Sequence, residues 1–339
     1  MEKAINRRRL ISLLAAGTAV GGSCSVPCAG WAQTASGKPK RVGVMMAIAA
    51  SDPEGLGRID VFRRALAEAG WTDGRNVGID IGWYRGNLEV AKEVARDLVG
   101  RGVEVMLVNG TPGMDAMRSL GTDTPIVFVV VSNPVGAGYV TNLSRPGGHI
   151  TGFSTFEPEI AGKWVQLVRQ VVPGVKNVSM LLDPKFTGFH SLWQAIAEVA
   201  PTHGIAPHAA YASNLEEMEQ RLIEAARREV PGLIVAPSPV NTVNRTRLAA
   251  LALENKLPII CPFRFYLQEG ALITYGFSAS DQFKRAAGYV SRILAGEKAG
   301  NLPVQAPSLF ELGINLKTAK AIGITVPQSL LITADEVIE

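Results

Sequence analysis

A short, unbroken run of apolar residues near the middle of the chain places the strongest constraint on its fold. Ile126–Val131 is six apolar residues long, and four of them are valine. Because a run this short and this β-branched is apolar on both alternating faces, it predicts a strand buried between two layers. Asn133-Pro134 follows, and proline ends strand pairing because it donates no backbone hydrogen bond. The carboxyl ends of such strands are where α/β proteins hold small ligands.

A glycine-rich segment lies shortly after this strand. The sequence SRPGGHITGF, residues 144–153, contains Gly147, Gly148 and Gly152, and glycine adopts backbone conformations that other residues avoid. A chain of 339 residues with 47% hydrophobic content is long enough for two lobes. We therefore expect the chain to pass from one lobe to the other in this segment.

Residues 1–32 have the composition of a targeting segment. Arg7-Arg8-Arg9 precede an apolar run, Leu10–Val20, and small residues continue to Ala32. This pattern is typical of a secretory signal peptide, and the apolar run is too short to span a membrane. We expect cleavage after Ala32 and a periplasmic mature protein, with the general and twin-arginine export routes both open. Cys24 lacks the aliphatic residue three positions before it that a lipoprotein site has, so we expect no lipid anchor.

Removing the signal peptide changes both the charge and the cysteine count. Lys3 and three arginines against Glu2 give that segment +3 of the chain's +4, so the mature chain carries about +1. This charge gives no reason to expect a nucleic-acid partner. Cys261 is then the one remaining cysteine, and a single thiol forms no internal disulfide. No cysteine and histidine spacing matches a metal site, so we expect neither a metal nor a cofactor.

The rest of the chain alternates predicted strands and helices. From Arg41 to Val131 the order is β-α-β-α-β-α-β, which favours a parallel sheet with right-handed crossovers, and the pattern restarts at Ile160. The expected fold class is α/β, with two doubly wound parallel-sheet lobes. We expect lobe 1 to comprise residues 41–154 with 275–305, and lobe 2 to comprise residues 155–274 with 306–339.

Five predicted strands end in a polar or small residue followed by proline. Each such step ends strand pairing and begins a turn or helix, which places free N–H groups and a side-chain oxygen at the carboxyl edge of a sheet. Helix N-termini at that edge suit a carboxylate or phosphate, because they carry about half a positive charge. Each step alone is an ordinary helix start, but five of them favour two facing edges with a cleft between. The five steps are Thr111-Pro112, Asn133-Pro134, Asp183-Pro184, Ser238-Pro239 and Cys261-Pro262.

Motifs of common catalytic sites are missing from the sequence. Gly136-Ala137-Gly138 lacks the third glycine of a dinucleotide-binding loop, and neither a Walker-type phosphate loop nor a GxSxG nucleophile elbow occurs. Acidic residues and histidines do not cluster along the chain. We therefore expect a binding protein rather than an enzyme.

Several segments resemble the tryptophan/tyrosine-type substrate-binding proteins of bacterial ABC importers. The C-terminal segment is the most specific of them, and weaker similarity covers nearly all of residues 41–339. The resemblance implies a type I periplasmic-binding-protein fold, with two lobes, three crossing strands that form the hinge, and a ligand in the cleft. It also implies an inner-membrane permease and a separate ATPase as partners. The segments are PIVFVVVSNPVGAGYVTNLSRPGGHITG (125–152), GALITYG (270–276), GYVSRILAGEKAGNLPV (288–304) and FELGINLKTAKAIGITVPQSLLITADEVIE (310–339).

The chain departs from the pattern of this family at three positions. Asn133 stands where the family usually has Asp, His149 where it usually has Asn, and Gly82 where many members have Arg before a Trp. An uncharged amide at position 133 weakens the case for an ammonium-binding carboxylate there. Asp183, at the edge of lobe 2, is the alternative for that role.

The leading hypothesis is a monomeric periplasmic solute-binding protein of an ABC importer. Its ligand would be a small organic anion or zwitterion, such as an amino acid with an apolar or aromatic side chain. We expect the ligand's carboxylate to meet Thr111 and Ser132, because both lie at the edge of lobe 1. Contacts from both lobes would favour the closed form. The full set of predicted ligand-binding residues is Ser51, Gly110, Thr111, Ser132, Asn133, Phe153, Ser154, Asp183, Phe186, Ser238 and Tyr275.

Two alternatives stay open at the level of sequence. An exported sensor subunit that binds a ligand and docks on a receptor kinase would have the same sequence pattern, and gene neighbours would distinguish it from an importer component. An exported α/β enzyme would require a convergent acid/base or nucleophile set. The ligand itself is not identified, because a fold does not determine what its cleft binds.

Overall fold

The computed structural model describes residues 39–155, 160–185 and 190–339. The predicted signal peptide and Phe186 lie outside these residues. Before residue 156, strands and helices alternate in the predicted order. The elements are β1 (Lys40–Met46), α1 (Pro53–Glu68), β2 (Val77–Trp83), α2 (Leu88–Gly100), β3 (Val105–Asn109), α3 (Thr111–Leu120), β4 (Ile126–Val131) and β5 (Ile150–Ser154).

After residue 159 strands and helices alternate again, except that α8 directly follows α7 and α12 directly follows α11. The elements are α4 (Ile160–Val171), β6 (Asn177–Leu182), α5 (His190–Val199), β7 (Ala206–Tyr211), α6 (Leu215–Ala226), β8 (Pro231–Val235), α7 (Pro239–Val243), α8 (Arg245–Glu254), β9 (Ile259–Cys261), α9 (Phe265–Gln268), β10 (Ile273–Phe277), α10 (Ala279–Leu294), β11 (Phe310–Asn315), α11 (Leu316–Ile322), α12 (Gln328–Ile332) and β12 (Glu336–Ile338). Among the described residues, no helix has both the length and the apolar character that a membrane span requires.

Lobe 1 is built on a parallel sheet with helices on both faces. Within the described residues the sheet has five strands in the order β2-β1-β3-β4-β5. The β4 residues other than Val130 are buried because one face of the sheet is covered by α1 and α10, and the other by α2 and α3. Helix α10 returns from much later in the sequence, and Phe283 on it packs in the same core as Phe62 of α1. Lobe 1 is therefore assembled from two separate parts of the chain.

Lobe 2 is built on a larger sheet of the same kind. Within the described residues it has seven strands in the order β12-β11-β10-β9-β8-β6-β7. The five strands from β6 to β10 lie in the order β7-β6-β8-β9-β10. This matches the order β2-β1-β3-β4-β5 of lobe 1, because in each lobe the second strand along the chain lies at the edge of the sheet and the first lies next to it. Strand β11 runs antiparallel to β10, so this sheet is mixed at one side. The predicted α/β fold with two lobes is confirmed.

Three segments of the described chain connect the lobes, and backbone hydrogen bonds join them. The Ser154 N–H donates to the Gln305 carbonyl at 2.9 Å, and the Gln305 N–H donates to the Gly152 carbonyl at 3.0 Å. The Ser278 N–H donates to the Leu309 carbonyl at 3.0 Å. Strand β10 lies wholly in the sheet of lobe 2. The chain therefore crosses to lobe 1 after Phe277, a few residues beyond the boundary predicted from sequence.

Two local features of lobe 2 differ from the sequence prediction. In the sequence, Ser213 and Glu216 have the spacing of a capping box. The N-cap of α6 is instead Asn214, whose Oδ1 accepts from the Glu217 N–H at 2.9 Å. The Glu217 carboxylate accepts in turn from the Ser213 N–H at 2.8 Å. The sequence of residues 241–255 predicts a single helix, but the structure has two, α7 and α8, because Asn244 between them has a non-helical backbone conformation.

Candidate functional site

The carboxyl edges of the two sheets face each other across a cavity of about 90 Å³. Lobe 1 contributes the segments that follow β1 and β3, together with Val130 of β4. Strands β1 and β3 are adjacent, but the chain continues from β1 to β2 on one side of the sheet and from β3 to β4 on the other. Open α/β sheets bind ligands at such a change of direction. Lobe 2 contributes the segments after β8 and β9. The lining residues are Ala47, Ile48, Arg58, Asn109, Gly110, Thr111, Pro112, Val130, Pro237, Ser238, Pro239, Thr242, Val243, Phe263 and Phe265.

The lobe 1 side of the cavity is held by a buried tyrosine. The Tyr84 hydroxyl donates to the Asn109 carbonyl and accepts from the Gly113 N–H at 3.2 Å. Gly110 between them has a φ of +90°, a conformation that favours glycine, and it begins α3 without a side-chain cap. The Thr111 hydroxyl and the open N-terminus of α3 therefore lie at the cavity wall.

Val130 has the least favourable backbone conformation at the site. Its φ is +57°, which is rare for a β-branched residue, and it lies where the pairing of β4 with β5 shifts register. The Val130 N–H donates to Gln282 Oε1 at 2.9 Å instead of to a neighbouring strand. The side chain packs against the cores of both lobes. Strain of this kind concentrates at ligand-binding positions.

The lobe 2 side combines a capped helix start with aromatic rings. Ser238 is the N-cap of α7, and its Oγ accepts from the Asn241 N–H at 3.1 Å. The Asn241 side-chain amide donates to the Ala236 carbonyl at 2.8 Å, which fixes the turn after β8. Phe263 and Phe265 stack with their ring centroids 5.4 Å apart. Their faces give the cavity an apolar wall.

A second, larger cavity of about 510 Å³ shares Arg58, Phe263 and Phe265 with the first. It extends from the N-terminus of α1 to the crossing segment after β10 and is lined by charges of both signs. Its remaining lining residues are Asp52, Pro53, Glu54, Arg245, Arg264, Gln268, Glu269, Phe277, Ser278, Ala279, Ser280, Glu311 and Glu336. The smaller cavity, near Thr111 and Ser238, is thus lined mainly by apolar side chains together with a few hydroxyl groups. The lining of the larger cavity, toward the hinge, is rich in charged side chains.

The lobes also touch directly beside the cavities. Arg245 Nη1 of lobe 2 donates to Asp52 Oδ2 of lobe 1 at 2.8 Å, and both side chains are largely buried. Gly86 of lobe 1 lies so close to Pro239 of lobe 2 that a Cβ atom on the glycine would collide with the proline ring. The structure therefore shows the cleft with its rims in contact.

The structure brings together three of the predicted ligand-binding residues. Gly110, Thr111 and Ser238 all line the smaller cavity, two from lobe 1 and one from lobe 2. Each belongs to a strand–proline–helix step or directly precedes one, so the local sequence signal was sufficient to find them.

Other predicted residues lie at the rims but not in the walls of either cavity. Asn133 is exposed, and its Oδ1 accepts from the Gly136 N–H at 2.9 Å. Asp183 is buried, its Oδ1 accepts from the Lys185 N–H at 3.0 Å, and burial raises the pKa of its carboxyl. Ser132 is buried beside Asn133, and Ser51 is exposed in the turn before α1.

Three further predicted residues lie at the hinge. Phe153 is buried in the core of lobe 1, with its ring centroid 5.0 Å from that of Tyr289. Ser154 is buried and is the last residue of β5, directly before the chain crosses to lobe 2. Tyr275 stacks on Phe310 at a centroid distance of 6.0 Å and lines neither cavity. Phe186 lies outside the described residues, so its role stays a prediction.

Sequence reasoning missed Arg58, which lines both cavities. The available signal was its position on α1, because it falls on the same helical face as Ile59, Phe62 and Leu66. A charged residue within an apolar stripe is unusual unless it has a partner or a ligand. Phe263 and Phe265 also line both cavities and are not among the ligand-binding residues predicted from the sequence.

Metal-ligating groups are not gathered in the described part of the chain. Among those residues, no cluster of three or more His, Cys, Asp or Glu side chains could hold a metal ion. Cys261 is a free, buried thiol, and burial raises its pKa well above the ordinary value.

Two α/β lobes whose strand ends enclose a shared cavity, joined by crossing segments at one side, define a two-lobed solute-binding protein. Residues 42–338 match the model of the family described as ABC transporter substrate binding protein. The chain therefore belongs to that family, and the resemblance stated from sequence is confirmed.

Individual relatives extend this comparison. A tyrosine-binding protein from Clostridioides difficile is 25% identical over 267 residues, which covers 77% of this chain and 75% of the relative. The crystal structure of a conserved domain protein from Vibrio cholerae has a TM-score of 0.81 at 27% identity, covering 88% of this chain and 100% of that one. An ABC domain from Streptococcus pneumoniae in complex with L-Trp has a TM-score of 0.81 at 22% identity, covering 89% and 100%.

Proposed function

We propose that this chain is the exported, periplasmic solute-binding component of an ABC importer, and that it closes its two lobes on a small organic ligand. An inner-membrane permease and a separate ATPase would be its partners, and residues 1–32 would be its signal peptide. The observation that carries the proposal is the cavity lined from both rims, by Gly110 and Thr111 on one side and by Ser238 on the other. A ligand that contacts both lobes stabilises the closed form by its differential affinity, whereas a ligand on one lobe alone would not.

The ligand class we propose is an amino acid with an apolar or aromatic side chain. Phe263 and Phe265 give the cavity lining an apolar part, and Thr111, Ser238 and Thr242 give it hydroxyl-bearing side chains. The tyrosine-binding relative and the L-Trp complex support this class. A few polar groups around a largely apolar wall are typical of small-molecule sites, because the wall provides burial and the polar groups provide orientation.

A thermal-shift screen of the protein without residues 1–32 tests the proposal. The panel contains L-Tyr, L-Trp, L-Phe, L-Leu, charged amino acids, phenylacetate, and the neutral amides of the aromatic members. A ligand at about one hundred times its Kd adds about 2.7 kcal/mol to the free energy of unfolding. We expect at least one aromatic or apolar member to raise the melting temperature, and unchanged melting across the whole panel would contradict the proposal.

A pair of variants tests whether the ligand binds in the cleft. Thr111→Val keeps the shape of the side chain and removes the hydroxyl, so the affinity should fall by about 5- to 10-fold. The matched control is Thr202→Val, which removes an exposed threonine hydroxyl whose partner is the Val199 carbonyl, away from both cavities. Equal affinities in these two variants would argue against Thr111 as a contact.

A further inference from the structure

Arg58 is a buried cation in the wall of the proposed site. It is 4% exposed and lies on the apolar face of α1, where the other inward positions hold core residues such as Phe62 and Leu66. A charged group in such a position requires hydrogen-bond partners, because water no longer solvates it.

The partners that the chain supplies satisfy only part of this guanidinium. Arg58 Nε donates to Glu54 Oε1 at 2.8 Å. The guanidinium carbon lies 5.9 Å from the ring centroid of Phe265, which belongs to lobe 2. Within the described residues, no other group accepts a hydrogen bond from Arg58, although its side chain lines both cavities. The two terminal amino groups therefore have no hydrogen-bond acceptor among the described residues, on a side chain that lines the cleft.

We propose that Arg58 binds the ligand's carboxylate through these two terminal amino groups. This inference rests on the proposed function and specifies its ligand as a small carboxylic acid. Because Glu54 occupies Nε, the carboxylate would meet the Nη1–Nη2 edge with two parallel hydrogen bonds, a geometry that a guanidinium provides and an ammonium does not. The apolar part of the ligand would lie against Phe263 and Phe265.

The position of Phe265 relates this contact to closure. The ring belongs to lobe 2 and lies close to the guanidinium of lobe 1 in this structure, in which the rims meet. Separation of the lobes would therefore move the two groups apart. Covering the charged pair excludes water, and charge-assisted hydrogen bonds are stronger where the local dielectric constant is low. A carboxylate on Arg58 is therefore held more tightly in the closed form than in an open one.

Paired ligands and matched variants test the inference by titration calorimetry. The probes are L-Trp against L-tryptophanamide, and phenylacetate against phenylacetamide. We expect each acid to bind more tightly than its amide, and Arg58→Gln to weaken the acids by about 10- to 150-fold while leaving the amides unchanged. Arg58→Lys should recover only part of this loss. The control is Arg64→Gln on the same helix, which removes an exposed arginine paired with Asp60.

Three results would separate the possible failures. Acids and amides that bind equally, or an Arg58→Gln variant that binds acids like the unaltered protein, would overturn the role of Arg58 and leave the proposed function standing. Failure of all acids and all amides to bind would overturn both.

The stability of the ligand-free protein gives an independent readout. A buried cation whose main partner is a ligand destabilises the protein when no ligand is bound. Arg58→Met should therefore melt at the same temperature as the unaltered protein or higher, and acids should no longer raise its melting temperature. Arg64→Met is the control for removing an arginine from α1. If the melting temperature of Arg58→Met lies well below that of Arg64→Met, the guanidinium of Arg58 stabilises the folded protein itself, and the inference is wrong.

Discussion

Arg245 Nη1 and Asp52 Oδ2 are 2.8 Å apart and join the two lobes across the mouth of the cleft. Each partner is also held within its own lobe. Asp52 is the N-cap of α1 and accepts from the Glu54 N–H at 3.1 Å, while Arg245 Nε donates to Glu269 Oε1 at 3.0 Å. The ion pair therefore forms between groups that are already fixed in place, so little side-chain entropy is lost when the rims meet.

Removing the charge of Asp52 should weaken the closed form. Asp52→Asn keeps an oxygen for the helix cap but loses the ion pair, and a contact made only in the closed form shifts the equilibrium by its own free energy. We expect the ligand Kd to rise about 3- to 10-fold, measured by titration calorimetry. Asp60→Asn, an exposed position on the same helix, is the control. A Kd that does not change in Asp52→Asn would mean that the pair contributes nothing to closure.

A methyl group on Gly86 should interfere with closure by contact rather than by charge. Gly86 has a φ of +69°, and its added Cβ would collide with Pro239 of the opposite lobe. Gly74→Ala is a matched control, because Gly74 has a φ of +77° with no atom within 4 Å of the added Cβ. Both alanines should lower the free energy of unfolding by about 1 kcal/mol. Only Gly86→Ala should also lower ligand affinity, and equal affinities in the two variants would contradict this view of the interface.

Local signals in the sequence were enough to predict where the strands end. The apolar run Ile126–Val131 became β4 without a change of boundary, because a strand buried on both faces is apolar at every position. Thr111 and Ser238 lie in the cavity because each precedes a proline that begins a helix at the carboxyl edge. These features depend on neighbours in the sequence, so the sequence alone displays them.

The predicted site residues that line neither cavity are positioned by strand order and long-range contacts. Asn133 and Asp183 carry the same strand–proline signature as Thr111, but their side chains accept hydrogen bonds from the turn that follows them. Phe153, another predicted ligand-binding residue, packs against Tyr289 of α10, which returns from more than a hundred residues away. Nothing in the local sequence shows which helix will cover a given strand.

The stability of the protein should depend on pH through Asp183. Burial raises the pKa of this carboxyl above its ordinary value of 3.8, so the folded state binds the proton more tightly than the unfolded state. Protonation of Asp183 therefore stabilises the folded state. This stabilisation is fully present below the pKa that the carboxyl has in the unfolded chain, and it is lost as the pH rises through the pKa that it has in the folded protein. Asp183→Asn, which keeps an oxygen for the Lys185 N–H, should therefore melt above the unaltered protein at pH 7.

The difference between these two proteins should shrink as the pH is lowered toward about 4, because a growing fraction of the Asp183 carboxyl is then protonated and, like the amide, uncharged. Scanning calorimetry at several pH values measures this difference in melting temperature. Asp123→Asn is the control for replacing an exposed carboxylate by an amide. A difference that is constant with pH, or that grows toward acid, would show that ionisation of Asp183 is not its cause.

The side-chain amide of Gln282 should stabilise the strained backbone at Val130 in the cavity wall by linking it to the backbone at the hinge. It is 1% exposed, its Oε1 accepts from the Val130 N–H at 2.9 Å, and its Nε2 donates to the Ser154 carbonyl at 2.7 Å. Gln282→Leu would leave two backbone groups without partners, so the free energy of unfolding should fall by about 2–5 kcal/mol. The Val130 amide should also exchange its hydrogen faster with solvent, because its acceptor is gone. Gln268→Leu, at an exposed position, controls for the loss of a glutamine. If Gln282→Leu destabilises the protein no more than this control and Val130 exchange is unchanged, the amide bridge does not hold the cavity wall.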